Sequence, residues 1–246
     1  MEQDERGIAD IQRRHDFIGM NAEDLHALRA LRAPLAKALP DALDALYARI
    51  RRTPEVSRFF ASEAKIDHAK QAQTAHWQAV LDARFDDAYV AKVRSIGEVH
   101  ARIGLTPQWY IGAYTIILDR LIRSIIEEDG GERIGLFSRS SGRKRLAESV
   151  SSLCKAVLTE IDLTVSFYLE AMEADRAKLR AEQERRVRDD HAVLSALNAA
   201  LTSLADGDLT YRVTEALPEH SEALKQRFNA SAQQLAQSMS RIAQST

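Results

Sequence analysis

Cysteine, proline and glycine are all scarce in this chain. The single cysteine, Cys154, excludes an intramolecular disulfide and is typical of a reducing compartment, so we expect a cytoplasmic protein. Only 5 prolines and 10 glycines occur among 246 residues, which leaves long stretches without helix breakers. With 45% hydrophobic and 28% charged residues, the composition is that of a globular and largely helical chain.

The chain also lacks a strong charge of either sign and a long hydrophobic run. The 34 basic and 36 acidic side chains give a formal net charge of -2, so we expect neither nucleic acid nor an anionic membrane as a partner. The longest apolar stretch, near residues 110–118, is far shorter than the ~20 residues of a membrane-spanning helix. The first residues have no signal-peptide pattern, so we expect no membrane span and no secretion.

Motifs of enzymatic chemistry are missing too. The seven histidines form no His-Glu-x-x-His motif, and no Cys-x-x-Cys pair is present. A glycine-rich phosphate loop and a nucleophile elbow are likewise absent from the sequence. We therefore expect no enzyme.

What the chain does contain is helical periodicity almost throughout. Apolar residues at three- and four-residue spacing place Tyr47 on the buried face of a helix. Pro40 precedes this segment and predicts a break or kink of the helix near the proline. Pro54 suits the first turn of a short helix. Further helices are predicted over residues 62–83, from Asp86 or Asp87 through His100, and over residues 107–128. The predicted fold class is all-α.

The most informative segment is the string IGEVHARIGLTPQWY, residues 96–110. It predicts a helix with one histidine, His100, on an otherwise apolar face. Such a residue is often a satisfied core histidine. A neutral imidazole held in an apolar pocket is, however, also what haem iron needs as a ligand.

Three further motifs make the chain resemble the globin-coupled sensors, the haem-based aerotaxis transducers and their relatives. Tyr47 lies 53 residues before His100, at the place of the family's early tyrosine. The string KQAQTAHW at residues 70–77 matches the family's K-Q-x-x-x-x-H helix, and WYIGAY at residues 109–114 matches W-Y-x-G-A-[YF]. The resemblance covers roughly residues 10–170.

This resemblance implies non-covalent haem b with His100 as the proximal iron ligand. It further implies that Tyr47 donates a hydrogen bond to oxygen or another diatomic gas such as CO or NO, with Gln73 as a weaker second donor. The second ring nitrogen of His100 is expected to bond a backbone carbonyl or a hydroxyl, with Tyr110 as candidate. Ala69 and Ala72 stand where relatives often carry larger side chains, which leaves more room above the iron. The expected haem-binding residues are His100, Tyr47, Phe60, Ala69, Ala72, Gln73, Ile96, Ile103 and Tyr110.

Beyond residue 145 the pattern changes to near-heptads followed by a highly charged run. We interpret residues 173–190 as a coiled-coil linker, since so polar a helix needs a partner to persist. Residues 191–246 then resemble a HAMP signal-relay domain. The matching features are heptad leucines, the string LADGDLTYRV at residues 204–213, and a second heptad helix that contains Phe228-Asn229. In that family two chains form a parallel four-helix bundle.

The expected organisation is thus a globin-like sensor domain at residues 1–172, a linker at 173–190 and a HAMP-like domain at 191–246. We expect a homodimer, built first by the helices over residues 107–128 and 145–172. The function favoured is a gas sensor that signals to chemotaxis proteins through a methyl-accepting region missing from this chain. Two alternatives stay open: another output such as a diguanylate cyclase, or a haem-free globin-like signalling or scaffold module.

Overall fold

A computed structural model describes residues 2–131 and 139–244, and all regular secondary structure in these ranges is α-helical. The chain divides into two compact units, Met1–Glu173 and Ala174–Thr246. The helices are α1 (Glu2–Ile18), α2 (Ala22–Ala30), α3 (Arg32–Arg51), α4 (Pro54–Ser57), α5 (Glu63–Leu81), α6 (Asp87–Ile103), α7 (Pro107–Gly131), α8 (Arg139–Ala205) and α9 (Glu219–Gln244).

The helix termini follow local sequence signals. The Asn21 side chain accepts hydrogen bonds from the backbone N–H groups of Glu23 and Asp24 at the start of α2. Asp86 accepts from the backbone of Tyr89 and begins α6. Gly104 ends α6 with a φ of 75°, a left-handed conformation that glycine adopts without steric cost. The helix that carries His100 is therefore fixed at both ends.

Of the break or kink expected near Pro40, the break is wrong, because α3 continues through the proline, while a kink stays a prediction. Pro40 is exposed, so its ring and the unpaired carbonyl one turn earlier, on exposed Ala36, face solvent, where water can satisfy that carbonyl. The opposite face of α3 is buried on both sides of the proline, at Leu35, Leu39 and Leu43. Burial of this continuous apolar stripe holds the helix together.

The core of the first unit forms around α3, which packs against α5 and α7. Leu43 and Leu46 of α3 are buried, as are Ile117 and Leu121 of α7. Full burial of an aliphatic side chain contributes about 1.5–3 kcal/mol, so this interior stabilises the helices that surround the site.

In the second unit, the last turns of α8 lead through a turn and an extended connector to α9. Gly207 makes the turn with a φ of 83°. The Asn229 side chain accepts from the Val213 N–H at 2.9 Å and donates to its carbonyl oxygen at 3.0 Å, which fixes the connector against α9. The order helix, turn, connector, helix agrees with the sequence pattern, while the HAMP assignment stays a prediction.

Among the helices of residues 2–131 and 139–244, none has the length and apolar character needed to cross a membrane.

Candidate functional site

An apolar cavity of about 440 Å³ lies in the first unit, between α3, α4, α5, α6 and α7. Most of its wall is aliphatic or aromatic, with only a few polar groups at defined positions. Such a cavity suits a large, flat, mostly apolar ligand. All nine residues expected from the sequence line it: Tyr47, Phe60, Ala69, Ala72, Gln73, Ile96, His100, Ile103 and Tyr110. The structure therefore brings them together, while their roles toward a ligand stay predictions.

His100 provides the imidazole of the cavity wall. Burial lowers its pKa from an ordinary 6.5 to about 4, so the ring is neutral at physiological pH. Its Nδ1 atom is buried and has no hydrogen-bond partner within the described residues. A neutral imidazole with unused hydrogen-bonding capacity is the form that binds a metal ion.

The expected bond between the Tyr110 hydroxyl and His100 is not present. The two rings are in contact, with centroids 5.1 Å apart, but the Tyr110 hydroxyl donates to Thr164 Oγ1 on α8 at 2.9 Å. Thr164 is itself buried, and its hydroxyl oxygen accepts this hydrogen bond in place of a ring nitrogen of His100. The prediction was wrong on this point because the sequence does not show which residue of α8 faces Tyr110.

Tyr47, on α3, places a hydroxyl in the same cavity. The residue is 2% exposed, and its ring packs edge-on against Phe60 with centroids 6.0 Å apart. Burial raises the pKa of Tyr47 to about 12, so the phenol keeps its proton. Since no hydrogen bond of this hydroxyl is found within the described residues, it is available as a donor to a small ligand.

The wall contributed by α5 combines small side chains with one amide. Ala69 and Ala72 line the cavity and leave space there. Gln73 also lines it, and its Oε1 atom is buried without a partner in the part of the chain that the structure describes. This amide is a second polar group that could turn toward a ligand.

Two exposed cations, Arg49 of α3 and Lys92 of α6, complete the lining of the cavity. They reach it from the solvent-exposed side of their helices. Positive charge at the edge of an apolar cavity suits a ligand with an apolar body and anionic groups that stay in water.

Sequence analysis missed a buried polar network behind the cavity. Its centre is Glu160 of α8, which is 0% exposed. Glu160 Oε1 lies 2.7 Å from His76 Nε2 and accepts from the Tyr114 hydroxyl at 3.4 Å, and Glu160 Oε2 accepts from the Tyr89 hydroxyl. The helical spacing could have indicated that Glu160 is buried, because it lies four residues after Ala156 and four before Thr164 on the buried face of its helix.

Residues 8–174, more than half of the chain, match the family model described as Protoglobin. The heme-based aerotactic transducer HemAT of Halobacterium salinarum is 26% identical over 202 residues, which are 80% of this chain and 39% of that protein. The chain therefore spans less than half the length of this relative. The solved globin domain of a Geobacter sulfurreducens globin-coupled sensor has a TM-score of 0.54 at 18% identity, covering 64% of this chain and 96% of that chain. This similarity establishes the fold.

Proposed function

The chain belongs to the protoglobin family, and on that premise we propose that its first unit binds haem b and senses a diatomic gas. The observation that carries the proposal is the neutral imidazole of His100, whose buried Nδ1 has no hydrogen-bond partner among the described residues, in the same apolar cavity as the free hydroxyl of Tyr47. Oxygen is the first candidate, with carbon monoxide and nitric oxide as others. The aerotactic role named for the Halobacterium relative supports this choice.

The residues present fit haem. When bound, haem supplies an iron ion that takes up diatomic gases reversibly. The depressed pKa of His100 leaves its ring neutral, as an iron ligand must be, and its Nδ1 has no competing partner among the described residues. The lining contains no Cys-x-x-Cys-His attachment motif, so we propose non-covalent haem b.

Each polar residue of the wall then has a separate task. His100 would hold the iron, and Tyr47 would donate a hydrogen bond to the gas, a task for which its raised pKa keeps the proton in place. Ala69 and Ala72 would leave room for the ligand. Arg49 and Lys92 would attract the anionic carboxylate groups of haem to the exposed edge of the cavity.

We further propose that the protein is a homodimer. Large apolar side chains are exposed along α7, at Ile111 and Ile126, and along the first-unit part of α8, at Leu158 and Leu169. Contiguous exposed apolar surface is usually an interface, and most soluble homo-oligomers are two-fold symmetric. Both helices belong to the regions expected from the sequence to form the dimer.

In this proposal the second unit relays the state of the gas site as a HAMP-like bundle. Its support is the turn at Gly207, the connector held by Asn229 and the exposed heptad leucines of both helices. The output would be chemotaxis signalling in the cytoplasm. The name of the Halobacterium relative supports this output.

The decisive experiment is haem titration of the full chain and of His100→Ala, followed by absorption spectroscopy. The wild-type protein should bind one haem per chain and show a Soret band that shifts when oxygen or carbon monoxide is added to the ferrous form. His100→Ala should lose that band or shift it, because its iron ligand is gone. His220→Ala, at an exposed position of the second unit, is the control and should behave as wild type. An unchanged Soret spectrum in His100→Ala would refute the assignment.

A further inference from the structure

The fully buried glutamate behind the cavity has no part in the function proposed above. A buried carboxylate is costly unless its oxygens receive several good hydrogen bonds. Glu160 meets that condition through four side chains. Its partners are His76, Tyr89, Tyr114 and, from the next turn of α8, Thr164 at 3.4 Å.

Three of the four partners of Glu160 come from three other helices. His76 belongs to α5, Tyr89 to α6 and Tyr114 to α7. One side chain of α8 is therefore bonded to three of the helices that enclose the cavity. Thr164 adds a second link to α7, because it accepts from the Tyr110 hydroxyl at 2.9 Å.

Two of these partners are themselves part of the cavity wall. His76 and Tyr114 line the cavity, and their polar atoms are 3.2 Å apart. The Tyr114 ring also packs against Trp77, another lining residue, with centroids 5.3 Å apart. Any movement of the Glu160 carboxylate would thus be passed to two side chains of the cavity wall.

We infer that Glu160 is a positioning residue for the gas pocket. Its carboxylate fixes the His76 imidazole and the Tyr114 phenol against the cavity, and so determines gas binding without touching the gas. This inference rests on the proposed function. A group that fixes the shape of the wall affects oxygen and carbon monoxide alike, whereas a donor such as Tyr47 favours oxygen.

The test compares Glu160→Gln with Glu170→Gln. Glutamine keeps the size of the side chain but presents an N–H group where His76 or Tyr114 needs an acceptor. Glu170 is a matched control, because it lies on the same helix, is exposed and pairs with Arg94 at 2.9 Å. In haem-free protein, proton NMR of the wild type should show a downfield resonance from the bonds to Glu160, which Glu160→Gln loses and Glu170→Gln keeps.

With haem bound, the dissociation rates of oxygen and carbon monoxide should both change by about threefold or more in Glu160→Gln. Glu170→Gln should match the wild type. If the resonance is lost while both rates stay at their wild-type values, Glu160 merely satisfies the core and the inference is wrong. If the wild-type chain takes up no haem, the proposed function falls together with the inference, so the two failures are distinguishable.

If Glu160→Gln does not fold, Tyr89→Phe tests whether Glu160 positions the wall of the gas pocket. It removes one hydroxyl that bonds to Glu160, and Tyr89 does not line the cavity. A change in both gas rates would show that the pocket responds to the glutamate from outside. Unchanged rates would overturn the inference.

Discussion

The two units of the chain bury apolar surface in different ways. In the first unit large side chains such as Trp77, Leu121 and Leu153 are at most 1% exposed. In the second unit the buried apolar residues are small, Ala196, Ala200, Val213 and Ala232, while leucines such as Leu194, Leu201 and Leu235 are exposed. The first unit therefore has a core of large apolar side chains, whereas the second unit leaves several large apolar side chains exposed, which is the surface that the proposed dimer would cover.

Polar groups show the same contrast. The first unit encloses a glutamate, a histidine and three tyrosines in a connected network. In the second unit the pair between Asn229 and Val213 fixes one connector, and charged side chains such as Arg186 and Glu182 pair at the surface. The first unit thus has an interior polar network, while these polar contacts of the second unit lie at a connector and at the surface.

The strongest test of this contrast is Leu201→Asp. Leu201 is 58% exposed and lies seven residues after Leu194, which is 66% exposed, on one stripe of α8. In the proposed dimer this stripe is buried, so a charge on it should raise the dimer dissociation constant at least about tenfold, measured by analytical ultracentrifugation. The control is Ala199→Asp, on the opposite side of the helix. Equal dissociation constants for the two variants would contradict an interface on this stripe.

Glycine substitutions sharpen the comparison, because the units need glycine for different reasons. A Cβ atom on Gly97 would lie 2.7 Å from the Thr164 carbonyl oxygen and 2.9 Å from Phe167 Cβ. Gly97→Ala should therefore force α6 and α8 apart, at a cost of about 1–3 kcal/mol. At Gly207 a Cβ meets nothing within 4 Å, but the φ of 83° is strained for other residues, so Gly207→Ala should cost about 1–2 kcal/mol.

Urea unfolding of haem-free protein, followed by circular dichroism, measures both glycine effects. Gly112→Ala is the control: a Cβ there meets nothing and the backbone is helical, so alanine should stabilise by about 0.5–1 kcal/mol. A Gly97→Ala protein as stable as wild type would mean that the contact between α6 and α8 is looser than the structure shows.

Tyr47→Phe tests whether gas chemistry belongs to the first unit alone. Loss of one neutral hydrogen bond, worth about 0.5–1.5 kcal/mol, should speed oxygen dissociation several-fold, because bound oxygen carries partial negative charge. Carbon monoxide should hardly respond. Stopped-flow measurement of both ligands checks this, with Tyr211→Phe in the second unit as control. Equal changes for both gases would count against a donor role for Tyr47.

The smallest expected effect is a dependence of stability on pH. His15 is 6% exposed, its Nε2 has no partner within the described residues, and burial lowers its pKa below 6.5. The unfolded chain therefore binds a proton that the folded chain does not, and stability falls as the pH drops below about 6.5, by at most about 1.4 kcal/mol per pH unit. His15→Leu should flatten this loss in urea unfolding at several pH values. His220→Leu, at an exposed position, should leave the slope as it is.

The sequence predicted the all-helical fold and named nine residues that lie together in the cavity wall, because apolar periodicity and the family motifs around Tyr47 and His100 are local signals. It failed where the answer depends on a distant partner. The Tyr110 hydroxyl donates its hydrogen bond to Thr164, which lies 54 residues away in the sequence. At Pro40 the helix continues because the proline lies on the solvent-exposed side of α3, which the sequence alone does not show.

Glu160 escaped notice for a related reason. The chain has 36 acidic residues, and most such side chains are exposed. Its helical spacing with Leu153, Ala156 and Phe167 marks the buried face, but spacing does not reveal a partner. Only the folded arrangement shows a histidine 2.7 Å away.

The enclosed carboxylate also constrains the order in which the chain folds. Its bonds to Tyr89 and Tyr114 span 71 and 46 residues, and α8 leaves the ribosome after both. We therefore expect the docking of α8 to be a late step of folding, after the helices that supply the partners of Glu160 are in place.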